Sequence, residues 1–80
     1  MVDLGFNKLA KFPQVLLSMP QLTSLYLAHN AIAELPNLRK MANIEELDVS
    51  YNKITKLEGV DLRFLKKLRV LNLETNDLEK

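Results

Sequence analysis

The chain has 80 residues, 48% hydrophobic and 26% charged, with eleven Lys/Arg against ten Asp/Glu for a net charge of +1. Such a chain makes one domain at most, is too apolar for disorder, and carries no charge excess to direct it to nucleic acid or an anionic membrane. Cysteine is absent, which excludes disulfides, thiolate metal ligands and a cysteine nucleophile.

The chain opens on Val2-x-Leu4-x-x-Asn7-x-Leu9, where period-two alternation predicts a short strand with one buried face. Phe12, Leu16, Met19 and Leu22 follow at spacings of three or four, which predict a return through 3₁₀ or loosely helical turns. The opening pattern then recurs, more completely, as Leu22-x-x-Leu25-x-Leu27-x-x-Asn30-x-Ile32. A second return carries Leu35, Leu38, Met41 and Ile44. The third copy is Ile44-x-x-Leu47-x-Val49-x-x-Asn52-x-Ile54. The third return is longer, and Asp61 is placed to cap a short helix through Leu62, Leu65 and Leu68. The fourth copy is Leu68-x-x-Leu71-x-Leu73-x-x-Asn76-x-Leu78. Pro13 and Pro36 each follow an inward residue, where no ladder hydrogen bond is needed.

The asparagines fall 23, 22 and 24 residues apart, and a fixed period of this size marks stacked repeats. Strands so spaced, with no hairpin turn between them, are predicted to be parallel, each returning along the opposite side. No single repeat buries its own core; stacking makes one continuous core. The predicted class is α/β, as a single segment over 1–80, with repeats at about 1–21 (partial), 22–43, 44–67 and 68–80 (partial). The first copy lacks its leading Leu, the last stops before a return, and neither end carries a polar cap. A segment of a larger protein is therefore expected, with open core ends that favour self-association.

This pattern resembles the leucine-rich repeat family over the whole chain. Its period and short returns are similar to the intracellular members rather than to the ribonuclease-inhibitor type. The resemblance implies a curved solenoid with a parallel sheet on the concave side and 3₁₀, helical or loop returns on the convex side. It also implies that Asn7, Asn30, Asn52 and Asn76 form an inward ladder. Buried amides there satisfy backbone groups orphaned where each strand turns away.

Outward strand positions then form columns of touching side chains. One column holds Asp3, Tyr26, Asp48 and Asn72; the next holds Gly5, Ala28, Ser50 and Glu74. The residues just before each Asn are Phe6, His29, Tyr51 and Thr75, and those ahead of the strand leucines are Met1, Ser24, Glu46 and Val70. Asp3, Glu45, Glu46, Asp48 and Glu74 face one base, Arg69, on this surface, whereas ten Lys/Arg oppose five Asp/Glu elsewhere. An acidic face with aromatic anchors suits a basic or Arg-bearing protein partner. The candidate partner-binding residues are Asp3, Phe6, Tyr26, His29, Glu46, Asp48, Tyr51, Asn72 and Glu74, with Phe6, Tyr26, His29 and Tyr51 able to form one patch. The structural alternative is that the rings stack along a column to hold the sheet and the acids solvate it.

Enzymatic chemistry is not expected. His29 is the one histidine and has no carboxylate neighbour in its column. The acids lack a pocket to shift their pKa values, and neither Gly5 nor Gly59 belongs to a phosphate-binding loop. No cofactor and no metal are expected. Nucleic acid is disfavoured: Arg63, Lys66, Lys67 and Arg69 read as the solvated face of a short helix, and an acidic sheet repels phosphates. No apolar run nears the roughly 20 residues of a membrane span. With Asp3 where a signal peptide is basic and no Asn-x-Ser/Thr sequon, a cytoplasmic location is expected, the nucleus remaining open. The expected function is protein–protein recognition through the concave face. The alternatives are a structural spacer or regulatory arm of a larger signalling protein (a GTPase, kinase, phosphatase or ligase complex) and, third, an RNA-associated repeat protein.

Overall fold

The computed structural model describes residues 1–57 and 62–78. Its strands lie where the alternating apolar residues fall: β1 (Val2–Asp3), β2 (Ser24–Tyr26), β3 (Glu46–Asp48) and β4 (Val70–Asn72). They form one parallel sheet in the order β1-β2-β3-β4. Leu25 pairs with Leu47 and Leu47 with Leu71, so equivalent repeat positions stand side by side. Pairing runs beyond the strands proper. The N–H groups of Leu27 and His29 donate to the carbonyls of Asp48 and Ser50 at 2.7 and 3.1 Å, and those of Val49 and Tyr51 to Asn72 and Glu74 at 3.0 and 2.9 Å.

The returns share one device. The N–H of each apolar anchor donates to the carbonyl three residues back: Leu16 to Pro13, Met19 to Leu16 and Leu22 to Met19 in the first; Met41 to Leu38 and Ile44 to Met41 in the second. Leu65 to Leu62 and Leu68 to Leu65 repeat it in the third. An i→i+3 bond tightens the chain to three residues per turn, which is why the apolar spacing there is three. The turns become regular 3₁₀ segments at Gln14–Ser18 and Leu62–Phe64, while the second return stays as separate turns. The helix expected through Leu62, Leu65 and Leu68 is thus a three-residue 3₁₀ segment followed by one more turn; its expected cap, Asp61, lies outside the described residues.

The core lies between the sheet and the returns. Leu25, Leu27, Ile32, Leu38, Met41, Ile44, Leu47, Val49 and Ile54 are fully buried. Each Leu or Ile buried this way contributes about 1.5–3 kcal/mol. The equivalents in the outer coils, Val2, Leu4 and Leu9 on one side and Leu71 and Leu73 on the other, are only partly buried. The two middle repeats therefore carry most of the hydrophobic stabilisation.

Asparagine joins one coil to the next. Asn52, 7% exposed, donates from Nδ2 to the carbonyls of Val49 and Ser50 in its own coil (2.9 and 3.0 Å) and of Leu27 in the preceding one (3.0 Å). Its Oδ1 accepts the Ile32 N–H at 3.1 Å. Asn30 donates likewise to Leu27, Ala28 and Leu4, and accepts the N–H groups of Asn7 and Leu9. Asn76 donates to Leu73, Glu74 and Val49 and accepts from Ile54. The side chain of Asn7, in the first coil, is exposed and donates to carbonyls of its own coil, Leu4 and Gly5. Asn52→Ala is expected to cost about 1–3 kcal/mol and Asn7→Ala markedly less, by denaturant titration. Asn52→Asp would set a carboxylate against three carbonyl oxygens. Burial raises its pKa in the folded state, so its deficit should grow as pH rises above about 4, and a pH-independent deficit would contradict this geometry.

Candidate functional site

The residue before each ladder asparagine breaks the strand by taking a left-handed backbone conformation. Phe6, His29, Tyr51 and Thr75 have φ of 61°, 60°, 55° and 57°. None is glycine, and the conformation costs an L-residue about 1–2 kcal/mol. Its effect is to turn the next residue, the asparagine, inward, while the side chain before it stays outside. Four successive coils do this in register, so their side chains leave the sheet in parallel. Lys8 shares the conformation at 58° but lies beyond the ladder.

Three of these four side chains are rings, and they stack. The Phe6 and His29 centroids lie 4.2 Å apart at 10° between planes; those of His29 and Tyr51 lie 4.3 Å apart at 11°. Phe6 is 77% and Tyr51 45% exposed, so a continuous aromatic edge faces solvent. Each such pair contributes about 0.5–1.5 kcal/mol, comparable to the backbone cost at the same positions. Tyr26 does not join this stack. It stands in the neighbouring column, where its hydroxyl donates to Glu46 Oε1 at 3.2 Å, the oxygen that also accepts the Ser24 hydroxyl at 2.9 Å. The four aromatic and imidazole side chains thus form a three-ring stack and a separate Ser24–Tyr26–Glu46 cluster.

The acids divide in the same way. Asp3 Oδ1 accepts the Gly5 N–H at 3.0 Å, and Asn72 Oδ1 the Glu74 N–H at 3.0 Å. Asp48 Oδ1 accepts both the N–H and the hydroxyl of Ser50, at 2.9 and 2.7 Å. These i→i+2 turns close the ends of β1, β3 and β4, while β2 ends on Tyr26 without one. The spacings Asp-x-Gly and Asp-x-Ser carry the signal for them, and the turns make these side chains structural as well as surface groups. Glu45 pairs with Arg69 at 3.4 Å with both groups well exposed, a contact of small energy. Glu74 is exposed, and its carboxylate has no partner among the described residues. Ser24 and Ser50, absent from the sequence-based set, hold Glu46 and Asp48 in place.

On the return side Lys67 Nζ donates to Asn43 Oδ1 at 2.9 Å, and Asn43 Nδ2 to the Pro20 carbonyl at 2.9 Å. A residue considered for phosphate contact is therefore part of a bridge between coils. A cavity of about 400 Å³ between the first two returns is lined by Lys11, Phe12, Glu34, Leu35 and neighbours, away from the rings. Among the described residues no group of three or more His, Asp or Glu is placed to hold a metal ion, and no helix is long and apolar enough to cross a membrane.

A family model described as Leucine Rich repeats (2 copies) matches residues 20–61 and again 42–80. The chain belongs to the leucine-rich repeat family. It is 32% identical over 80 residues to Leucine-rich repeat serine/threonine-protein kinase 1 of Caenorhabditis elegans, across 96% of this chain and 3% of that protein. It is 39% identical over 83 residues to Transforming growth factor beta activator LRRC33 of Danio rerio, across 98% of this chain and 12% of that protein. An internalin from Listeria monocytogenes has the same fold, with a TM-score of 0.72 and 26% identity, over 82% of this chain and 19% of that one. The chain spans a small part of each of these proteins. Leucine-rich repeats are in general protein–protein interaction modules, and the open sheet face is where this one gathers its rings and acids.

Two stability measurements follow from this geometry. Thr75→Asn should stabilise the chain by up to about 1 kcal/mol, because asparagine tolerates the left-handed region and a β-branched residue does not. His29→Ala removes both ring contacts and should cost about 1 kcal/mol or more, with a double-mutant cycle against Tyr51 giving a non-zero coupling. Thermal melts test both.

Proposed function

We propose that this chain is a non-enzymatic protein-recognition segment that engages a basic, Arg-bearing partner through its sheet face. The observation that carries the reading is the exposed Phe6–His29–Tyr51 stack on the face that also holds Glu45, Glu46, Asp48 and Glu74. Stiff aromatic side chains give contact area at low entropic cost, and acids beside them favour cationic partners and raise their on-rates. The three-ring stack serves both the sheet and the partner, since its edges stay open to solvent.

The alternative is a regulatory or spacing arm inside a larger signalling protein. Its support is the similarity to a protein named as a serine/threonine kinase, of which this chain matches 3%.

Selection of displayed peptides against the immobilised chain separates the two. Enrichment of Arg- and Lys-bearing sequences is expected, with binding that weakens in salt and is lost in a Phe6→Ser/Glu74→Lys variant but kept in Lys66→Glu/Lys67→Glu. Selection of acidic sequences, or binding indifferent to the face substitutions, would refute the proposal.

A further inference from the structure

The aromatic column is one ring short. Phe6, His29 and Tyr51 occupy its first three positions, stacked at 4.2 and 4.3 Å with nearly parallel planes. The fourth position is Thr75, with the same left-handed backbone and an exposed side chain. The Tyr51 N–H donates to the Glu74 carbonyl at 2.9 Å, so the fourth coil lies directly beside the third at this level. A fourth ring would sit over Thr75. Threonine ends at Cγ2, and no ring or cation among the described residues stacks on the far face of Tyr51. The adjoining residue is Glu74, whose carboxylate has no partner among the described residues.

We propose that an arginine of the protein partner supplies the missing rung: its guanidinium lies flat on the free face of Tyr51, above Thr75, and pairs with the Glu74 carboxylate. This rests on the reading of the sheet face as a recognition surface. The group that fits must be planar, to continue a stack with about 10° between planes, and cationic, to answer both the ring face and the acid. Guanidinium meets both demands, being flat, delocalised and weakly hydrated. An ammonium is a compact, strongly hydrated point charge and meets only the second. An aromatic ring from the partner meets only the first and leaves Glu74 unanswered.

The test is an NMR titration of the 80-residue chain with N-acetyl-arginine amide, with N-acetyl-lysine amide and N-acetyl-phenylalanine amide as comparisons. The Tyr51 ring and Thr75 methyl signals are expected to move, with arginine amide binding about threefold or more tighter than lysine amide. Thr75→Phe fills the rung from within and should abolish the response. Glu74→Gln, an exposed and conservative change, should weaken it while leaving the core signals of the free chain unchanged. Equal responses to arginine and phenylalanine amides, a response that survives Thr75→Phe, or shifts confined to Phe6 would overturn the rung. Shifts spread over Ser24, Glu46 and Asp48 and equal for both cations would also overturn it, while leaving the broader basic-partner face standing. Shifts only on the return side would overturn both.

Discussion

Each coil must leave the sheet within a few residues of entering it, and the asparagine amide is the group that makes this departure tolerable inside a core. A turning backbone exposes carbonyls and N–H groups that would be costly to bury unpaired. The amide answers them with two donors and one acceptor on a single short side chain. The Leu27 carbonyl accepts from both Asn30 and Asn52, the Leu4 carbonyl from Asn7 and Asn30, and the Val49 carbonyl from Asn52 and Asn76. Shared carbonyls turn separate caps into one chain of bonds running across the coils. The stack therefore has a register that the leucines alone would not impose, since Leu, Ile and Val can slide past one another at little cost.

The same departure shapes the exposed surface. Turning the asparagine inward requires the residue before it to adopt a left-handed backbone, and this forces its side chain to the outside. Three rings placed there in parallel meet at stacking distance because neighbouring strands are about 4.8 Å apart. Packing within the column offsets part of the backbone cost. What reaches solvent is a row of ring edges, with ring faces open only at the two ends of the column, at Phe6 and at Tyr51 beside Thr75. Core and recognition surface are thus two consequences of one backbone turn.

Electrostatics on the sheet face are less free than a count of charges suggests. Asp3 and Asp48 close turns, Glu46 holds Ser24 and Tyr26, and Glu45 meets Arg69. A carboxylate accepting one or two local hydrogen bonds keeps its charge and spare lone pairs, so the face remains acidic in the long-range sense that steers a cationic partner. Short-range pairing is another matter. There the uncommitted carboxylate is Glu74, and its place beside the open end of the ring column gives it a specific geometry.

The repeat period, the parallel order of the strands, the inward leucines and the columns of outward residues were all legible in the sequence. They follow from local rules: a side-chain period of two in strands, three residues per turn in the returns, and a constant interval between asparagines that sets equivalent positions side by side. The strand-end turns at Asp3 and Asp48 were not read from the sequence, where these residues were assigned to the partner face, although the spacings Asp-x-Gly and Asp-x-Ser carry the signal for them. Tertiary structure decided what neighbouring coils do to one another. It separated Tyr26 from the other rings, because Tyr26 lies on the strand itself, where its hydroxyl reaches Glu46 on the next strand, whereas Phe6, His29 and Tyr51 leave from the left-handed positions before the asparagines. It left Asn7 exposed while burying Asn30 and Asn52, although the four share one pattern, because burial depends on a coil lying on each side. A sequence repeat specifies which residues are equivalent; the contacts across the stack determine which of those equivalents pair, pack or remain open.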